Sequence, residues 1–163
     1  MTVETDPADP DVGRAPPPSR FLPVRDLPVV AAVAAGGVLG AEARYALGLA
    51  MPHAVGAWPT ATFTINVSGC LLIGALMVVL TELTSPHRLA RPFLGVGVLG
   101  GWTTFSTAMV DVVVLVRAGR APLALGYLAG TLVAALVATA LGVALARSAA
   151  AGWRRVRVRR AAR

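Results

Sequence analysis

Residues 100–107 read Gly100-Gly101-Trp102-Thr103-Thr104-Phe105-Ser106-Thr107. Two glycines and four hydroxyl side chains stand in the middle of an apolar stretch running from about Phe93 to Val116, whose only formal charge is Asp111. Such residues are poor material for a continuous helix in hydrocarbon. The sequence therefore predicts a helix that breaks near the middle of a membrane span, where the freed backbone groups must find partners inside protein. Broken helices at the midplane commonly bind ions. Freed carbonyl oxygens suit a hard cation, whereas hydroxyls and amides suit an anion.

Three more apolar segments flank this one. They run from about Pro28 to Leu49, Trp58 to Leu83 and Ala121 to Ala146, each long enough to cross a bilayer, which takes about 20 residues. The connections, Ala50–Ala57, Thr84–Pro92 and Arg117–Arg120, are short. The fold class expected is an all-α membrane protein with four transmembrane helices. Composition agrees: 56% of the 163 residues are hydrophobic, 14% are charged, and the mean hydropathy is +0.70. Soluble domains carry about 25% charged residues, so an ordinary soluble enzyme is excluded.

The organisation follows from the same count. Residues 1–27 hold five of the eight acids and the run Pro16-Pro17-Pro18, and read as a disordered Pro-rich acidic tail. Residues 28–147 form the membrane domain, and 148–163 a basic tail. All 15 basic residues are arginines, most of them at the two ends, which does not describe a nucleic-acid-binding face. The termini and the second loop carry 12, against Arg117 and Arg120 on the opposite side. Cytoplasmic loops collect positive charge, so both termini are expected in the cytoplasm of a multi-pass plasma-membrane protein. The single Cys70 excludes an internal disulfide and a cysteine-based zinc site.

Inside the spans, Gly36, Gly37, Gly40, Gly69 and Gly74 fit close helix packing. Asn66 is an amide that must pair across helices or line a wet cavity; its NH2 group is also a good donor to an anion. Tyr127, Thr131 and Thr139, spaced by multiples of four, share one face of the fourth helix. They read either as a polar stripe along a pore or as hydroxyls bonded back one turn. Glu42 and Arg44 sit late in the first helix and do not face each other. No nucleophile–base–acid constellation or phosphate-binding loop is present, and the deep parts of the helices lack a histidine or carboxylate for proton coupling. An enzyme is not expected.

The run 100–107 closely resembles the third-helix signature of the Fluc/CrcB fluoride channels. Gly36-Gly37-Val38-Leu39-Gly40-Ala41-Glu42-Ala43-Arg44-Tyr45 resembles their first-helix motif, and Thr62-Phe63-Thr64-Ile65-Asn66-Val67-Ser68-Gly69 their second. Gly119-Arg120 and the Tyr127/Thr131 spacing also fit, so the likeness covers about residues 28–147. It implies a passive, fluoride-specific channel that exports cytoplasmic fluoride and confers fluoride resistance. It further implies antiparallel dimers with two pores and a structural sodium ion. By position, Gly100 and Thr103 would offer carbonyls to sodium. Asn66, Phe105, Ser106, Thr107, Tyr127 and Thr131 would line the fluoride path, and Arg44 would stand near a vestibule.

One position departs from the pattern. The family's second pore phenylalanine follows three residues after the first; here Ala108 stands there. Asp111 replaces the usual glutamate. Together with the lopsided arginine count, this points to pairing with a paralogous subunit that keeps both phenylalanines. The competing readings are a non-conducting accessory subunit and a small multidrug-type exporter, the latter lacking the deep membrane acid it would need.

Overall fold

The computed structural model describes residues 26–84 and 86–161, with side chains described as far as Gly152. The expected N-terminal tail lies outside them, except for Asp26 and Leu27. The elements are α1 (Leu27–Ala50), α2 (Thr60–Val78), α3 (Gly100–Trp102), α4 (Phe105–Arg117) and α5 (Ala121–Ala161), with π-helical stretches at Val79–Leu83 and Arg91–Leu99. Four helical stretches among the described residues are long and apolar enough to cross a membrane: Leu27–Ala50, Thr60–Leu83, Arg91–Arg117 and Ala121–Gly152.

Helix boundaries follow local chemistry. Pro28 opens α1 and Pro92 opens the π-helical stretch, positions where a missing N–H costs nothing. The α1–α2 connection turns on Gly56 (φ 80°) and the α4–α5 turn on Gly119 (φ 73°), a backbone region that disfavours L side chains. In that second turn, Arg120 N–H bonds the Leu115 carbonyl at 2.9 Å. Val79–Leu83 is closed by Thr84, whose N–H and hydroxyl both donate to the Val79 carbonyl, at 3.1 and 2.9 Å.

The fourth helix outruns its expected end at Ala146. It continues to Ala161, because Ala and Arg are strong helix formers and no proline intervenes. Its 41 residues span about 60 Å at 1.5 Å per residue, twice a bilayer core of about 30 Å.

Helix α2 packs along α5, α1 packs along Arg91–Leu99 and α3, and α4 crosses onto α5. Glycines make the first two contacts possible. A Cβ on Gly36 would strike the Phe93 carbonyl, one on Gly40 the Val98 carbonyl, and one on Gly101 the Gly37 carbonyl. Leu115, Ala124, Tyr127 and Ala108 form a small buried core, flanked by Trp58, Phe63 and Met109. Large apolar side chains such as Val38, Leu132 and Leu136 point outward, more than half exposed. A protein in water would bury these; lipid or another subunit can cover them.

Candidate functional site

Between α3 and α4 the backbone leaves the helical region for two residues. Thr103 has φ −81° and ψ 156°, and Thr104 has φ −150° and ψ 121°. This extended dipeptide changes where the peptide groups point. Thr104 N–H, which a continuous helix would give to the Gly100 carbonyl, instead donates to Asn66 Oδ1 at 2.8 Å. Asn66 Nδ2 donates back to the Thr104 carbonyl, also at 2.8 Å. The amide of α2 thus pairs with one residue of the break as a neighbouring strand would. Asn66 is an interhelical hydrogen-bonding residue, and it also lines the cavity described below.

A second helix reaches the same place. Arg44 Nη1 of α1 donates to the Thr103 carbonyl at 3.3 Å. Thr103 itself turns back, its N–H and hydroxyl both on the Leu99 carbonyl at 3.0 Å. Trp102 Nε1 donates to Ser68 Oγ at 3.0 Å, and the Ser68 hydroxyl donates to the Ile65 carbonyl at 3.0 Å. The Thr104 hydroxyl caps α4, accepting from Thr107 N–H at 3.2 Å and donating to Thr107 Oγ1 at 3.0 Å, with Ser106 Oγ 3.3 Å away. The four hydroxyls of the run therefore hold the break rather than simply lining it.

Beside the break lies a cavity of about 950 Å³. Asn66, Gly100, Thr103, Phe105, Tyr127 and Thr131 all line it, as do Thr104 and Ala108. Six of the nine site residues expected from the sequence therefore share one space. Arg44, Ser106 and Thr107 are not part of its lining. Phe105, 77% exposed, begins α4 at the cavity wall.

Polar groups deeper in this region have no partner. Tyr127 is fully buried, and neither its hydroxyl nor Thr131 Oγ1 has a partner in hydrogen-bonding geometry, although Thr131, Asp111 and Thr62 all stand near the tyrosine oxygen. Asp111 and Thr62 approach the tyrosine, and Asp111 Oδ2 is buried and unpaired. Thr139 differs: its hydroxyl bonds back to the Ala135 carbonyl at 2.9 Å. Of the hydroxyl stripe on α5, only Tyr127 and Thr131 hold their hydroxyls in reserve. A buried polar atom without a partner costs about 1–3 kcal/mol, a cost that a small shift of Thr131, Asp111 or Thr62 toward the tyrosine, or an ion or water admitted beside it, would remove. The tyrosine ring is fixed edge-to-face on Trp58 at 5.3 Å, and Trp58 on Phe63 at 5.5 Å.

Ala108 is 4% exposed, packed among Tyr127, Leu115 and Ala124. The sequence marks Thr104 only as part of the helix-breaking run, and Asp111 only as the charge of the third span and a departure from the family's glutamate. A hydroxyl residue immediately before a helix, with another three residues on, is the signal for the Thr104 cap. Nothing in the sequence signals that Asp111 faces Tyr127.

The break can also be tested as a cation site. The Gly100 carbonyl has lost its Thr104 partner and the Thr103 carbonyl receives only Arg44. Both are hard oxygen donors of the kind a group I cation takes. No cluster of three or more His, Cys, Asp or Glu that could hold a metal is found among the described residues. Two oxygens fit part of a hard cation's shell of roughly six.

Comparison with known proteins settles the family. The model of the CrcB-like, camphor-resistance (CrcB) proteins matches residues 31–143. The chain belongs to the CrcB family. The fluoride-specific ion channel FluC 1 of Streptomyces coelicolor is 52% identical over 82% of this chain and 87% of its own length. FluC 2 of Nocardia farcinica is 48% identical over 85% of this chain and 98% of its own. FluC 2 of Streptomyces avermitilis is 53% identical over 73% and 75%. The matched CrcB region contains all four membrane-crossing helices except the first turn of α1 and the last turns of α5, and it contains the break and every residue of the cavity. With these helices and this family, the chain is a multi-pass membrane protein.

Proposed function

We propose that this chain is a subunit of a passive, fluoride-specific ion channel that exports cytoplasmic fluoride and confers resistance to it. The single observation that carries the reading is the coincidence of the broken third span with unpaired buried hydroxyls around one cavity. Thr103 and Thr104 are the thirteenth and fourteenth residues of the 27-residue span Arg91–Arg117, so the break belongs at mid-membrane. The names of the relatives supply the ion.

The donor set suits a small, strongly hydrated anion. Conduction needs binding strong enough to replace hydration and weak enough to release. The spare N–H of Asn66, the hydroxyls of Tyr127 and Thr131 and the electropositive edge of Phe105 are all weak donors. The Ser106 and Thr107 hydroxyls lie outside the cavity lining and act on it through the Thr104 cap. Arg44, held against the Thr103 carbonyl, sets positive potential beside the path without a fixed cation in it. A proton-coupled multidrug exporter is not favoured, since the relatives are named as fluoride-specific ion channels.

The outward apolar faces and the incomplete cation shell favour an antiparallel dimer in which a second subunit completes the site. Sodium bound by the Gly100 and Thr103 carbonyls would supply fixed positive charge that ties the broken helices of two subunits together. Ala108 and the arginine bias, which fixes both termini in the cytoplasm, favour a paralogue as that second subunit. The non-conducting accessory reading rests on Ala108 alone.

The test is fluoride efflux from liposomes containing this chain purified alone, with chloride as control. Fluoride-selective efflux establishes a self-sufficient homodimer. No efflux from folded protein, restored by a paralogous subunit, establishes the heterodimer. No efflux under either condition favours the accessory role.

A further inference from the structure

We infer that Thr104 is a positioning residue of the conduction site: its cap on α4 and its pairing with Asn66 aim Phe105 at the ion path. A break in a membrane helix leaves peptide groups with no water to satisfy them. Thr104 resolves this with every polar atom it has. Its N–H and carbonyl are both taken by Asn66 at 2.8 Å, and its hydroxyl serves Thr107 N–H and Thr107 Oγ1. The residue is 8% exposed, so most of its polar surface is met by these partners rather than by water.

The consequence for Phe105 is geometric. It is the first residue of α4, directly after the cap, so its direction is set by the Thr104 ψ of 121° and by where the cap anchors the first turn. Two anchors on one residue leave that turn no freedom to rotate. Asn66 accordingly acts first on the backbone, and only its second N–H remains for an anion. Neither Asn66 nor the cap alone would suffice: Asn66 fixes the peptide before the helix, and the hydroxyl fixes the turn after it.

The transport readout rests on the channel reading above; the exchange readout below does not. The decisive variants are Thr104→Val, isosteric but without the hydroxyl, and Thr104→Ser, which keeps it. Full-length variants are purified, checked for folding by far-UV circular dichroism, and reconstituted alone or with whichever subunit the wild type needs. Thr104→Val should lower fluoride efflux at least tenfold, and Thr104→Ser should restore it to within about threefold of wild type. A folded Thr104→Val with wild-type efflux overturns the inference, as does failure of serine to rescue.

Should the valine variant not fold, or wild type not conduct, amide hydrogen exchange of the wild-type chain decides. Uncapped amides in a first helical turn exchange fast. A Thr107 amide as protected as those in the interior of α4 supports the cap; one that exchanges as fast as a loop overturns it.

Discussion

Gly142 of α5 lies so close to Leu71 of α2 that a methyl group on it would run into the Leu71 carbonyl oxygen and stand 3.0 Å from Ala75 N. Gly74 answers from the other helix, with the Thr139 carbonyl in its way. Without a hydrophobic drive between helices in lipid, such backbone approach is what holds α2 to α5. Gly142→Ala should push the two apart and cost about 1–3 kcal/mol, more than the ~1 kcal/mol that alanine gains in helix propensity. Gly126→Ala, on the same helix with nothing within 4 Å of the new Cβ, should gain only the propensity. Thermal unfolding in detergent separates them; equal midpoints would disprove the contact.

Tyr127→Phe removes a buried hydroxyl that has no partner and leaves the ring on Trp58. A structural hydroxyl would be missed by the fold. An unpaired one, costing about 1–3 kcal/mol, would not. The variant should unfold no earlier than wild type yet pass fluoride several-fold more slowly. Thr131→Val should behave alike. Lower stability with unaltered efflux would mean the hydroxyl serves packing, most directly through Asp111.

These cases show what a sequence can carry. Span positions were legible to within a few residues because hydropathy and proline placement are local: Pro28–Leu49 became Leu27–Ala50, and Phe93–Val116 became Arg91–Arg117. Gly36, Gly40 and Gly74 were read as packing residues, which is what they are. The π-helical stretches left no such trace, since they do not change composition, and the sequence ends α5 at Ala146 because the composition turns basic at Arg147, although nothing there breaks a helix. The site was legible as residue types but not as bonds. Asn66 is 38 residues from Thr104, and Arg44 is 59 from Thr103, so their pairing depends on how three helices pack. The same limit applied to the stripe Tyr127, Thr131, Thr139, whose members could be sorted only once Thr139 was seen bonded to Ala135.

Glu82 and Arg147 form a two-pronged ion pair at one end of the bundle, with Nη2 2.6 Å from Oε1 and Nε 3.1 Å from each oxygen. The arginine is 60% exposed and the glutamate 40%. Exposed pairs contribute little and are screened by salt. Glu82→Gln should therefore leave fluoride efflux unchanged and shift the unfolding midpoint slightly at low salt and not at 1 M. A large loss at high salt would show that this pair, rather than the glycine contacts, fastens α5 to α2.

Phe105 and Ala108 decide between a conducting and an accessory subunit. Phe105 is 77% exposed at the cavity wall, so Phe105→Ile removes an aromatic edge without emptying a core. It should fold as wild type does and lose fluoride efflux; an accessory subunit would show no change in the channel it assembles with. Ala108 is 4% exposed but also lines the cavity, whose volume of about 950 Å³ has room for a ring. Ala108→Phe should fold provided the added ring turns into that space and not toward Leu115 and Ala124. It should raise fluoride efflux by the chain alone, since it supplies the second aromatic edge the path lacks. A variant that folds and conducts no better would mean the second edge is already present, brought by the partner subunit or by the Trp58–Phe63–Tyr127 cluster. A variant destabilised by several kcal/mol would place the Ala108 methyl against the core and not the cavity. Run together, loss at position 105 and gain at 108 form a signature that neither a scaffold nor an exporter could produce.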